Sequence, residues 1–182
     1  EAACLQARYH ATPINASKEE LVPWLKAGVD AELIHFSVHG KYDPTGARDG
    51  LALVDGKMLD PNVVRSFNLK RKPFVFLNAC QVGMGNTILG DYGGMAEAFL
   101  HAGASGVIAP LWSVHDETAK SIAERFYNSL EDGEDPGELV RRERQGFRKN
   151  SRSGTYLAYQ FFGHPRMRII GVKSQAGEQC DE

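Results

Sequence analysis

The feature that most constrains this chain is a pair of short, unbroken apolar runs, Phe74 to Leu77 (FVFL) and Gly106 to Trp112 (GVIAPLW). A strand that is apolar at every position must be covered on both faces, as strands are in a parallel sheet layered between helices. The residues around the two runs supply those helices. Ser17-Lys18-Glu19-Glu20 reads as a capping box, and Leu21, Trp24 and Leu25 fall on one helical face before a stop near Gly28. Met95 to His101 predicts a helix stopped by Gly103. Ala119, Ile122, Ala123, Phe126, Tyr127 and Leu130 recur at helical spacing from Glu117 onward. Asp135-Pro136-Gly137-Glu138 opens a further helix with a cap, a proline at the first position and an early acid.

The remaining signals are strands and turns. Glu32 to Val38 (ELIHFSV) predicts a strand closed by His39-Gly40. Leu51 to Val54 and Lys57 to Leu59 flank a tight Asp55-Gly56 turn, and a short helix is expected at Pro61. Gly83 to Gly94 is glycine-rich and reads as a loop. Tyr156 to Phe162 and Met167 to Val172 read as late strands. Alternating strands and helices predict an α/β fold: a mostly parallel sheet flanked by helices on both faces. A chain of 182 residues fits one domain, expected over 1–172, with 173–182 a frayed polar tail.

Composition excludes several classes. With 42% hydrophobic and 24% charged residues the chain is globular, neither disordered nor fibrous. Its 21 basic and 23 acidic side chains leave a net charge of −2, which gives no global case for binding nucleic acid or an anionic membrane. No apolar stretch approaches the roughly 20 residues of a membrane span, and no leader pattern opens the chain. Cys4, Cys80 and Cys180 are odd in number and widely spaced, so no disulfide framework is expected; a reducing, cytoplasmic setting follows. The chain opens on Glu1 without a methionine and is expected to be part of a longer one.

In such sheets ligands bind off the carboxyl ends of the strands. Two predicted strands end in reactive residues, one in His39-Gly40 and the other in Asn78-Ala79-Cys80. As neighbours about 4.8 Å apart they would put an imidazole and a thiol on one rim, the minimum for cysteine nucleophilic catalysis. The backbone amides of Gly40 and Cys80 then suit an oxyanion hole, since glycine lets a substrate carbonyl approach closely. A lone cysteine or histidine at a strand end is more often a packing residue. Here, however, alternation puts His35, Ser37 and His39 on one face and Ile34, Phe36 and Val38 on the other, a polar stripe that a purely structural buried strand would not need. No phosphate loop, dinucleotide fingerprint or Gly-x-Ser-x-Gly elbow occurs. His35 and His39 with Cys80 lack a fourth ligand, so neither metal nor cofactor is expected. The arginines from Arg141 to Arg152 read as a solvated helix face.

Taken in order, HFSVHG, the Asp-Gly hairpin, FVFLNACQVG, GMAEAFLHAGASGVIAPLWSVHD and RFYNSL resemble the CHAT domain, a caspase-like peptidase domain often found after tetratricopeptide repeats. The resemblance covers about residues 30 to 163. It implies a caspase-haemoglobinase fold and a Cys-His dyad of Cys80, the nucleophile, and His39, the general acid/base. It further implies that Trp112, Ser113 and Asp116 line the pocket for the substrate residue before the scissile bond, although Asp116 is equally suited to cap the helix that follows. Separase-like relatives take arginine through an acid four residues further on, where this chain has Lys120. The function expected is that of a regulated cysteine endopeptidase in a bacterial signalling, defence or cell-death pathway. A protein substrate and an upstream tetratricopeptide region or activator would be its partners. The alternatives are a non-catalytic caspase-like interaction module, and a small-molecule cysteine hydrolase or acyltransferase.

Overall fold

The computed structural model describes residues 2–41, 50–79, 86–88, 91–150 and 157–169, with backbone alone at 86–88, 91–93 and 146–150. Four strands form the main sheet: β1 (Leu33–Ser37), β5 (Phe74–Asn78), β8 (Gly106–Pro110) and β9 (Tyr159–Gly163), side by side in that order. β1, β5 and β8 run parallel, and β9 is antiparallel against β8. Every residue of β5 and β8 is buried, as their unbroken apolar runs require. The sheet is mostly parallel, as expected.

Alternation along the strands divides the interior into two cores. Ile34, Phe36, Val75, Leu77, Val107 and Ala109 face α2 (Lys18–Lys26), α3 (Pro61–Arg65) and α4 (Met95–His101). Phe74, Phe76 and Ile108 face α1 (Ala2–Tyr9), α5 (Asp116–Glu131) and α6 (Pro136–Asn150). The stripe read from the sequence of α5 is the buried one, with Phe126 fully enclosed between Phe74 and Phe76. Helices therefore cover both faces. Asp135 caps α6 by accepting the Glu138 N–H at 2.7 Å, and Asp60 caps α3 through the Asn62 N–H at 2.7 Å.

Two smaller sheets complete the architecture. β2 (His39–Lys41), β3 (Gly50–Ala52) and β4 (Met58–Leu59) form an antiparallel meander whose Leu51 and Leu59 are fully buried in the first core. Asp55 holds its turn, accepting from the backbone N–H of Lys57 and, across to α2, from that of Lys18. β6 (Asn86–Ile88) and β7 (Asp91–Gly93) pair antiparallel, so part of the stretch expected to be loop is a ladder.

Several expectations need correction. Ser17 stands at the cap position of α2, but its side chain makes no capping bond; the Lys18 N–H goes to Asp55 instead. Met167 to Ile169 are not a strand, because β9 already pairs with the free edge of β8 and these residues pack beside the second core. Residues 170–172 and the tail 173–182 lie outside the described residues. The helix α1 carries no clear sequence signal. It docks on α5 through Arg8 and Tyr9, which both meet Glu131. Burial first, and then that bond to Glu131, push the Tyr9 phenol well above its usual range. Cys4 on α1 is disulfide-bonded, so cysteines that do not read as a disulfide framework nonetheless hold a bridge. An odd, widely spaced set still permits one pair, and spacing alone does not reveal connectivity. Among the described residues no helix is long and apolar enough to cross a membrane.

Candidate active site

The carboxyl ends of β1, β5 and β8 share one rim, because the three strands are parallel and adjacent. The pairing of β1 with β5 runs to the last residue of each, Ser37 opposite Asn78. His39 follows two residues beyond Ser37, and Cys80 follows two residues beyond Asn78. The two candidate reactive residues are thus equidistant along the chain from one matched pair on neighbouring strands. Cys80 itself lies outside the described residues, as does the glycine-rich segment through Gly85. Ala79, the last described residue before it, is buried in the first core.

His39 is exposed and does not continue β1. The half-buried Val38 separates the two strands, and β2 leaves the main sheet to pair with β3, His39 opposite Ala52 and Gly40 opposite Leu51. The imidazole is therefore carried on the small sheet, whose buried leucines anchor it to the core. This changes the reading of the polar stripe: His35 and His39 belong to different sheets. His35 Nδ1 lies 2.9 Å from the Tyr127 hydroxyl, and its ring stacks on Phe76 with centroids 5.0 Å apart. It is a packing residue under α5, not a companion of His39.

The third strand end is that of β8. Its ladder with β9 extends past Pro110, since the Leu111 N–H donates to the Ala158 carbonyl at 2.8 Å. Trp112 follows, 40% exposed, and then Ser113, also exposed. Asp116 is the first residue of α5 rather than its cap. His115 takes the cap position with extended backbone, and its carbonyl accepts from the Ala119 N–H at 2.9 Å. The capping alternative for Asp116 is thereby corrected, and its carboxylate stays exposed at the positive end of the helix. Lys120, one turn on, pairs with Glu124 at 3.9 Å.

Two residues at this rim escape a sequence reading. Asn78 is a polar residue 8% exposed at the end of a wholly buried strand, and the Tyr159 hydroxyl donates to its Oδ1 at 2.5 Å. An asparagine closing an apolar run is the only local signal. Among the described arginines of α6, Arg142 and Arg144 also do more than line a solvated face. Arg142 bonds Ser129 on α5 at 2.8 Å, and Arg144 bonds the Tyr159 carbonyl and Gln160 Oε1, each at 2.8 Å.

Comparison with known proteins agrees with this fold. The model of the CHAT domain matches residues 4–168. No curated protein sequence matches the chain. Among solved structures, the chain is similar to the complex of Porphyromonas gingivalis RgpB pro- and mature domains, at 16% identity and a TM-score of 0.54, over 80% of this chain and 35% of that one. The chain thus spans about a third of that structure, and the likeness is one of fold. With three parallel strand ends on one rim and a family match over nearly its whole length, the chain belongs to the CHAT domain family and has that family's caspase-like α/β fold.

Proposed function

We propose that the protein is a cysteine endopeptidase working through a dyad of Cys80 and His39. The observation that carries the reading is the register of β1 on β5. Ser37 opposite Asn78 sends both chains off one rim with two residues to go before His39 and Cys80. In the proposed reaction the Cys80 sulfur, as thiolate, attacks the scissile carbonyl carbon. The developing oxyanion accepts from the backbone amides of Gly40 and Cys80. The carbon–nitrogen bond breaks as His39 protonates the leaving amine, and water then hydrolyses the thioester, returning the thiol. Trp112, Ser113 and Asp116 form part of the wall that selects the residue before the scissile bond. The partners in this reading are a protein substrate and an upstream tetratricopeptide region or activator, in a bacterial signalling, defence or cell-death pathway. With three cysteines in the chain and Cys4 disulfide-bonded, this reading requires Cys180 to be the partner of Cys4 and the Cys80 thiol to be free.

The test is mass spectrometry of a peptide library incubated with the protein and with its Cys80→Ala variant. Cleavage by the first and none by the second supports the reading. No cleavage by either, together with slow labelling of Cys80 by an iodoacetamide probe at neutral pH, would favour a non-catalytic interaction module.

A further inference from the structure

The ladders of the main sheet end at different heights. β5 stays paired with β1 through Asn78, but its pairing with β8 stops at Phe76 opposite Ile108. β8 meanwhile carries β9 with it as far as Pro110 opposite Tyr159. At the rim the ladder between β8 and β5 has ended, and the last two residues of β5 have no backbone ladder on that side among the described pairs. The Tyr159 side chain reaches from β9 to this end of β5 and donates to Asn78 Oδ1 at 2.5 Å. Tyr159 is itself fixed: its backbone is paired with Pro110, its carbonyl accepts from Arg144 of α6, and its side chain is 2% exposed among Phe76 and its neighbours. Buried phenol and amide groups are costly without partners, and each satisfies the other here.

We infer that Tyr159 is a positioning residue that acts through Asn78 to hold the tip of β5, and so the segment that leads two residues later to Cys80. The inference rests on the proposed nucleophilic role of Cys80. A reacting sulfur must be placed to within about an ångström, so loosening the strand tip lowers turnover more than substrate affinity.

The experiment compares the protein with Tyr159→Phe, which removes one oxygen and keeps the ring, and with Asn78→Ala and the double variant. Kinetics use a peptide from the library, and the alkylation rate of Cys80 is followed by mass spectrometry of the peptide that contains it. Tyr159→Phe is expected to lower kcat about 10-fold or more with KM within about twofold, and to change the alkylation rate of Cys80 in protein that is still folded by thermal melt. The double variant should be no worse than the poorer single one, as for two residues acting as a unit. Wild-type kcat and wild-type alkylation in Tyr159→Phe would overturn the inference, even if the melt shifts. If no peptide is cleaved, the endopeptidase reading fails by itself. The alkylation comparison then still decides whether Tyr159 positions the thiol.

Discussion

In the proposed endopeptidase, Asp116 and Lys120 would decide which side chain the rim accepts. A guanidinium or ammonium entering a pocket leaves water and is tolerated only against a committed carboxylate. Asp116 is exposed and free of capping duty, but Lys120 stands four residues on, on the same helix face, and shares its charge with Glu124. We therefore expect an uncharged residue before the scissile bond. In a fluorogenic peptide series varying only that residue, leucine or methionine should turn over faster than arginine or lysine, with aspartate second. A clear basic preference would contradict this and make Asp116 the determinant. At this scale the sequence offered His39 and Cys80 as candidates because strand ends are marked by their apolar runs. It misjudged His35, because alternation sorts side chains into two faces without showing that α5 covers one of them. Asn78 and Tyr159 were illegible, since their bond joins residues 81 apart.

The β2–β3–β4 meander is the element on which the proposed histidine depends. Gly50 begins β3 at φ +148°, and a Cβ there would lie 2.3 Å from the Leu59 carbonyl oxygen, a backbone atom with no rotamer to yield. Gly50→Ala combines a backbone conformation that side chains rarely adopt with a clash inside the meander. It should destabilise the protein by about 3 kcal/mol or more and lower turnover by disturbing the sheet that carries His39. Urea titration and peptide cleavage would measure both; an unchanged midpoint would show that the meander can shift to accommodate a methyl group. The Asp55-Gly56 turn of this element was plain from sequence because turn chemistry is local. The separation of β2 from β1 was not, because a strand changes sheets according to its partner, and β3 begins nine residues after β2 ends. The same holds for α1, whose docking rests on Glu131 across the fold.

Over the whole molecule, one buried sheet is shared by two cores, so damage to either side should be felt by the other. Leu77→Ala on the first face and Phe126→Ala on the second should each cost about 3 to 5 kcal/mol, and each variant should still unfold in a single transition. Two separate transitions in calorimetry would contradict a shared core. The α/β class was legible because strand burial and helix periodicity are written along the chain. The order β1-β5-β8-β9 was not, since it depends on pairings between strands tens of residues apart. That order makes β1 and β5 neighbours, and the central claim is that His39 and Cys80, which follow these strands in the chain, act together. The most direct measurement is the turnover of one cleaved peptide by the wild type, Cys80→Ala and His39→Ala. Cys80→Ala should show no turnover, with stability within about 1 to 2 kcal/mol of wild type. His39→Ala, which changes an exposed side chain, should lose roughly 100-fold or more in kcat with little change in KM. Cleavage retained by Cys80→Ala, or a wild-type kcat in His39→Ala, would contradict the dyad.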